Sequence, residues 1–363
     1  MKAKKIFCLA FVVLGMLPIS AQEKMHLIKL ENGTALHADF YFNEVQDSRQ
    51  IQENIGVAQK GMMNKQVPAN FTENFSLHLQ SYFNSILASA PEKQALTVKF
   101  HKLYISERTS ATSELGICEV KLEFLRNEND NLISLGTFQS SVEGKGMDVT
   151  PKHGERIKEA IEICIAKFSA TNWKNATIVE INEAPAIKHQ FNSKLVLNKG
   201  LYFDFEDIVN NAPKQDLKYR IKTLGENKKS AHYQVLQQEK NKRIKNLFGY
   251  SDGQHIYLNS SRYTQSDYFI KSQMIGRYIY FEDQYSSPQA AAAFGLIGAA
   301  ASTKHTGIVL DTETGIVRVL NNKNMEDILK EYPELLNEYR QGKKKIEDDR
   351  NMIAKINKLK EII

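Results

Sequence analysis

Apolar side chains in the first half of the chain recur with two different periods, and each period predicts one kind of secondary structure. Spacing of three and four residues predicts two amphipathic helices, over residues 70–87 and 150–168. Alternation of apolar and polar residues predicts five strands, over residues 26–30, 35–42, 95–106, 116–125 and 132–143. This order of elements is typical of an α+β module in which two helices pack on one face of an antiparallel sheet.

Strand-like segments return between residues 248 and 320 and predict a second, β-rich domain. Asp252 and Gly253 stand between two such segments, and an Asp-Gly pair is typical of a type I′ hairpin turn. Two further strands flank a turn that begins at Asp311 and ends at Gly315. The alternative for that turn is a fragment of a calcium loop, but later ligands of such a loop are missing from the sequence.

One uncharged insertion, over residues 288–302, separates two of these strands. It consists mainly of Ala and Gly and is too short to cross a bilayer as a helix, which needs about 20 apolar residues. One interpretation is a helix or loop that packs on this protein itself. The other is a contact with a membrane or a partner through Phe294, Leu296 and Ile297, since small residues permit close approach.

The end of the chain predicts a helical, charged tail. A helix starts near Asn324, Pro333 interrupts it, and a charged segment with an incomplete apolar stripe follows Gly342. That last segment is either a solvated helix or a helix that binds a partner.

With 363 residues the chain is long enough for two domains. The predicted boundaries are 1–21 for a signal peptide, 22–182 for the N-terminal module, 183–322 for the β-rich domain and 323–363 for the tail.

The N-terminus predicts export. Lys2, Lys4 and Lys5 precede a short apolar stretch over residues 6–17, and Ala21 ends a small-residue cleavage site. Cys8 lies inside the apolar stretch, so there is no lipobox and we expect no lipid anchor. The expected location is the periplasm, with a place at the periphery of the outer membrane or outside the cell left open.

Charge argues against a nucleic-acid partner. Cleavage after Ala21 removes three lysines and lowers the formal net charge from +6 to +3. No basic stripe interleaved with aromatic residues accompanies this small excess. The sequence gives no sign of the oligomeric state.

Two cysteines remain after cleavage, and both lie on predicted apolar faces. Cys118 shares a strand face, and Cys164 shares a helix face, with aliphatic residues of the first module. We expect two free, buried thiols, while a disulfide remains open because an exported protein meets oxidising conditions. An apolar face disfavours the thiolate that a catalytic cysteine needs.

Residues 199–208 combine a glycine with alternating aromatic and acidic side chains, and Pro213 closes the segment. The alternation predicts that the aromatic rings are buried and that Asp204, Glu206 and Asp207 face water. A metal site or an acid–base pair is the alternative, but nothing in the sequence fixes carboxylates at a catalytic separation.

This segment, from Lys199 to Pro213, resembles a motif of uncharacterised exported proteins of Bacteroidetes. The resemblance continues in residues 248–253, in the Ala/Gly-rich insertion and in the turn over 310–315, and it covers residues 195–340. It implies a location in the cell envelope and no known chemistry. In the order of its elements, the N-terminal module resembles the small α/β modules of envelope auxiliary proteins of the TolB N-terminal type.

The sequence contains no motif typical of a hydrolase, a metalloprotease or a nucleotide-binding site. We therefore assign no catalytic, cofactor-binding or metal-binding residues, and we expect a non-enzymatic envelope protein that binds or scaffolds other molecules. The expected partners are envelope proteins or a membrane surface. Two alternatives remain: a peripheral membrane protein that uses the 288–302 insertion, and an exported hydrolase with a dispersed site.

Export can be tested by the mass of the mature chain. Protein secreted or released from the periplasm should begin at Gln22 and carry no acyl group, because the cleavage site follows Ala21 and no lipobox is present. Intact-mass spectrometry measures both properties. A chain that keeps Met1, or that carries the mass of a lipid, would contradict the prediction.

Overall fold

The computed structural model describes residues 25–61, 65–109, 113–128, 131–175, 191, 193–226, 231–264, 266–286 and 303–361. These residues form a mixed α+β protein, which confirms the predicted fold class. We refer to residues 25–175 as the N-terminal domain and to residues 191–361 as the C-terminal domain. The predicted signal peptide and the 288–302 insertion lie outside the described residues.

The N-terminal domain contains two small groups of strands and two helices. Its elements in chain order are β1 (His26–Ile28), β2 (Phe40–Asp47), β3 (Val57–Lys60), β4 (Lys65–Phe71), α1 (Phe75–Ile86), β5 (Gln94–Thr109), β6 (Glu114–Glu128), β7 (Asn131–Gly146) and α2 (His153–Ser169). The main sheet has the order β2-β5-β6-β7 and is antiparallel except that β2 runs parallel to β5. The order of the small sheet is β1-β4-β3, and its strands β3 and β4 were not predicted.

A β-bulge at His101 keeps both halves of β5 in register with the core. Phe100 points inward before the bulge, and Leu103 and Ile105 point inward after it. Without the bulge, simple alternation would have turned Leu103 and Ile105 outward. The bulge therefore also sets which residues of β5 face away from the core. Those outward residues are Lys102, Tyr104, Ser106 and Arg108.

Both helices pack on the inward face of the main sheet. Phe83 of α1 contacts Phe42, and Phe168 of α2 stacks on Phe124 with ring centroids 4.3 Å apart. Helix α1 begins later than residue 70, where the apolar spacing predicts its start. Its cap is Asn74, whose side chain accepts hydrogen bonds from two backbone N–H groups of the first turn, while residues up to Phe71 belong to β4.

The C-terminal domain is built on a nine-stranded sheet with helices at its end. Its strands are β8 (Gly200–Tyr202), β9 (Tyr219–Glu226), β10 (Ala231–Gln237), β11 (Gly249–Ser251), β12 (Ile256–Asn259), β13 (Phe269–Met274), β14 (Tyr278–Tyr285), β15 (Lys304–Asp311) and β16 (Val317–Val319). Its helices are α3 (Phe205–Val209), α4 (Asn322–Leu329), α5 (Pro333–Gln341) and α6 (Ile346–Glu361). The main path through the sheet is β16-β15-β14-β13-β12-β11-β8, with β10 and β9 branching from β13.

Two turns of this domain can be compared with the sequence predictions. The turn from Asp311 to Gly315 is confirmed, since Asp311 accepts backbone hydrogen bonds from residues 313 and 314 and Gly315 has φ of 76°. The type I′ prediction at Asp252 and Gly253 is wrong. Only Gly253 has a positive φ, and the Asp252 side chain instead accepts hydrogen bonds from the backbone of residues 254 and 255.

The C-terminal helices cover one face of β14 and β15. Ile353 and Ile356 of α6 are buried there, so the apolar stripe predicted for the tail packs on the protein's own sheet. Asn357 fixes the register because its side chain both accepts from the N–H and donates to the C=O of Tyr278. Gly276 permits this approach, since a Cβ there would lie 2.4 Å from Asn357.

Packing of α2 can be tested by truncation. Ile161 is fully buried between α2 and the sheet, so Ile161→Ala should lower the free energy of unfolding by about 2–5 kcal/mol. Leu77→Ala is the matched control on α1, because Leu77 is 67% exposed and its loss should change stability by about 0.5 kcal/mol or less. Urea unfolding measures both.

The same packing predicts unreactive thiols. Cys118 and Cys164 are free and fully buried, and burial raises the pKa of both. A thiol reagent should label neither in the native protein and both after unfolding. Rapid native labelling of Cys164 would show that this face of α2 does not pack on the sheet.

Candidate functional site

The main sheet of the N-terminal domain has a second face, which is polar. On this outward face Tyr104 of β5 lies beside Glu119 of β6, which lies beside Ser141 of β7. A second row, one step along the strands, contains Ser106, Ile117 and Glu143. Because α1 and α2 occupy the inward face, only the outward face is available to the C-terminal domain.

The C-terminal domain contacts the N-terminal domain through polar side chains. Gln66 of β4 donates to the carbonyl of Arg262 at 2.8 Å and accepts from the N–H of Val317 at 2.9 Å. Asn54 donates to the carbonyl of Thr314 at 3.0 Å. Each bond reaches a backbone group, so these contacts hold the backbone of the C-terminal domain in place without depending on its side chains.

Lys102 is the centre of an ionic cluster that joins the two domains. Its ammonium group lies 3.3 Å from Glu119 of its own sheet, 2.8 Å from Asp204 and 3.3 Å from Glu206. Burial alone would lower the pKa of Lys102, but Asp204 and Glu119 outweigh this effect and the pKa lies above its usual value. Lys102 is therefore a permanent cation.

Asp204 and Glu206 differ from the sequence prediction, which placed them in water. Residues 205–209 form α3, and Asp204 caps this helix in a reciprocal capping box with Asp207. The helix turns Phe205 into the core while Asp204 and Glu206 both approach Lys102. Burial raises the pKa of Glu206, whereas the attraction and hydrogen bond of Lys102 overcome burial and lower the pKa of Asp204.

Next to this cluster the two domains enclose a cleft of about 190 Å³. Its floor is the outward face of β5, β6 and β7, and its roof comes from the C-terminal domain. The floor contributes Tyr104, Arg108, Glu119 and Glu143, and the roof contributes Phe248 and Arg262 among others. We call this space the interdomain cleft.

Arg262 is the most unusual group in the interdomain cleft. The residue is only 9% exposed, its guanidinium carbon lies 4.1 Å from the centre of the Phe248 ring, and its Nε–H has no hydrogen-bond partner among the described residues. Burial and the neighbouring Arg108 lower its pKa to about 9, so it still carries its charge at neutral pH. A buried charge without a hydrogen-bond partner is costly and calls for an explanation.

Two further donors of the floor are incompletely satisfied. Arg108 donates from Nη1 to Asn246 at 2.8 Å, but its Nε–H has no partner in the described part of the chain. The Tyr104 hydroxyl lines the cleft and makes no hydrogen bond with a described residue. It lies so close to Gly315 that a Cβ there would be 2.6 Å from the hydroxyl oxygen. Donors from β5 and from the segment after β12 thus meet in one small space.

The groups in the cleft hold charge more readily than they transfer protons. Arginine is not deprotonated at neutral pH, Lys102 is held in its charged form, and burial raises the pKa of Tyr104. The described residues contain no group of three or more His, Cys, Asp or Glu side chains that could hold a metal ion. Such an arrangement is suited to binding a polar ligand.

The residues predicted from the sequence as a contact site, Phe294, Leu296 and Ile297, lie outside the described residues. The structure does describe the strands on either side of the insertion. Strands β14 and β15 remain paired up to Tyr285 and Lys304, so the insertion connects the two strands of one hairpin. Across the described ranges, no helix is both long enough and apolar enough to cross a bilayer.

The Lys102 cluster can be tested by removing its single cation. Lys102→Met leaves the carboxylates of Asp204, Glu206 and Glu119 without their shared cation and should cost about 3–5 kcal/mol of stability at pH 7. Lys145→Met, at an exposed position of the same sheet, should change stability little. Denaturant unfolding measures both variants.

The pH dependence of the stability lost in Lys102→Met shows whether Lys102 acts through its charge or through packing. The lowered pKa of Asp204 means that its contribution is present above its usual pKa and disappears as the pH falls. The difference between the wild type and Lys102→Met should therefore narrow as the pH falls from about 5 towards about 2. A difference that is constant over this range would mean that Lys102 acts through packing alone.

Comparison with known proteins covers the C-terminal domain. Residues 200–362 match a family of unknown function (DUF6563), so the matched region begins at β8 and includes α6. No curated protein matches the chain. The match agrees with the expectation that this part of the sequence is similar to an uncharacterised family, and the roof of the interdomain cleft, with Phe248 and Arg262, lies within it.

Proposed function

We propose that this protein is a non-enzymatic binding protein and that the interdomain cleft is its ligand site. The observation that carries the proposal is Arg262, a nine-tenths buried guanidinium whose Nε–H has no partner among the described residues. A ligand with an anionic group would supply the missing acceptor, and a guanidinium is well suited to bidentate binding of a carboxylate or phosphate.

The surroundings of Arg262 support recognition of an anionic group rather than a structural ion pair. No carboxylate of the described residues forms an ion pair with this guanidinium, although Glu119 and Asp204 both lie near enough to affect its pKa. Both of those carboxylates are already engaged by Lys102. Arg108 and the Tyr104 hydroxyl supply further donors at the same place.

The size of the cleft restricts the ligand. Sites for drug-sized molecules typically have volumes of about 300–1,000 Å³, and the interdomain cleft is smaller, at about 190 Å³. A small molecule or one end of a longer chain would fit. Binding between two domains is also a common position for a ligand site, because closure of the domains can surround the ligand.

We also propose that the protein acts in the cell envelope after export. The basic, apolar and small-residue segments at the N-terminus support this location. An exported protein of this kind would bind its ligand in the periplasm. Association with the outer membrane through the 288–302 insertion is the alternative that the sequence supports.

Thermal stability in the presence of simple ligands tests the cleft. Acetate, succinate and phosphate should be compared with glucose as a neutral molecule of similar size. At one hundred times its Kd a ligand stabilises the native state by about 2.7 kcal/mol, so a specific ligand should raise Tm clearly. At least one of the anions should raise Tm of the wild type, and Arg262→Gln should abolish that rise.

Arg220→Gln provides the matched control, because Arg220 is an exposed arginine on β9 outside the cleft. It should respond to the anions as the wild type does. Equal responses of the wild type and Arg262→Gln, or no response to any anion, would contradict the proposal. Circular dichroism of each variant shows whether it has kept its fold.

A further inference from the structure

The interdomain cleft contains two kinds of charge, and this restricts its ligand further than Arg262 alone does. Two guanidinium groups, Arg108 and Arg262, share the cleft with the carboxylates of Glu119, Glu143 and Asp204. Glu107 also lines it but is occupied, since it accepts hydrogen bonds from His153 and Thr150. A ligand with only negative charge would therefore meet repulsion from the carboxylates as well as attraction from the arginines.

The carboxylates are not equivalent. Glu119 and Asp204 contact the Lys102 ammonium, whereas Glu143 forms no ion pair with a described residue and is exposed at the side of the cleft. Glu143 lies on β7 and Arg108 on β5, so β6 separates them. Two strand spacings correspond to about 10 Å between the backbones. Glu143 opposes the lowering of the Arg108 pKa by burial, so the two charges interact across β6 although they form no ion pair. The free carboxylate and the incompletely satisfied guanidinium groups thus form two poles on either side of β6.

We infer that the interdomain cleft binds a short zwitterionic peptide by both of its ends. The peptide carboxylate would pair with Arg262 and Arg108, and its ammonium group would pair with Glu143. This inference concerns the class of the ligand, and it rests on the proposed function of the cleft.

The separation of the poles favours a peptide over a single amino acid. In an α-amino acid the two charges flank one carbon atom, whereas two extended residues span about 7 Å. The side chains of Arg108 and Glu143 are long, so their charged groups can lie closer together than the two backbones do. A dipeptide can span that shorter distance. The polar floor, with Ser106 and Ser141 beside the charged groups, can pair with the peptide's backbone.

Isothermal titration calorimetry of the mature protein tests the inference with three probes. These are Ala-Ala, N-acetyl-Ala-Ala, which has lost the ammonium group, and Ala-Ala-amide, which has lost the carboxylate. Each removed charge eliminates a charge-assisted hydrogen bond, so each capped peptide should bind about tenfold or more weakly than Ala-Ala.

Variants assign each pole to a residue. Glu143→Gln should weaken Ala-Ala but leave N-acetyl-Ala-Ala unchanged, because that probe has no ammonium group to lose a partner. Arg262→Gln should weaken Ala-Ala and leave Ala-Ala-amide unchanged. Glu155→Gln, at an exposed position of α2 away from the cleft, is the matched control and should bind like the wild type.

The outcomes separate this inference from the proposed function. If N-acetyl-Ala-Ala binds as tightly as Ala-Ala, the ammonium pole is wrong. If no peptide binds while acetate, succinate or phosphate still stabilises the wild type through Arg262, the peptide inference is overturned and the anion-binding cleft remains. If neither the peptides nor the anions bind, both proposals fail.

Discussion

Among the contacts between the two domains, one ammonium group forms the buried ionic cluster. Lys102 belongs to the N-terminal sheet, yet two of its three carboxylate partners, Asp204 and Glu206, belong to the C-terminal domain. A buried ammonium without partners would cost several kcal/mol, and so would the carboxylates if Lys102 were absent. The charges therefore stabilise the structure only when the domains are docked. Formation of the interdomain cleft is a consequence of that docking.

The bulge at His101 decides which side of β5 carries this chemistry. With simple alternation, Leu103 and Ile105 would have faced outward and Lys102 would have faced the core, away from Asp204 and Glu206. One extra residue in the strand reverses this arrangement. The same shift places Tyr104 and Arg108 on the floor of the cleft. A local irregularity of backbone hydrogen bonding thus determines the position of the candidate site.

Periodicity predicted the long strands β5 to β7 and helix α2 because their apolar faces are regular and local in sequence. It failed for residues 204–207, where alternating aromatic and acidic residues form a capped helix. Their partner Lys102 lies about a hundred residues earlier in the chain, and no pattern in one sequence links the two segments. The short strands β3 and β4 were missed for the same reason, since their pairing depends on neighbours and not on their own composition. The cleft could not be predicted, because it lies between segments that are distant in sequence.

The balance of charge around Arg262 explains how an unsatisfied guanidinium can persist. The face of the Phe248 ring attracts the guanidinium, and Glu119 and Asp204 act on it through space without a hydrogen bond. These contributions offset part of the desolvation cost but leave the Nε–H without an acceptor. Direct pairing with Asp204 would satisfy it, but Asp204 already bonds to Lys102 at 2.8 Å and caps α3. Lys102 therefore holds the domains together and also keeps Asp204 from neutralising Arg262, so the contact that forms the cleft leaves a donor in it for a ligand.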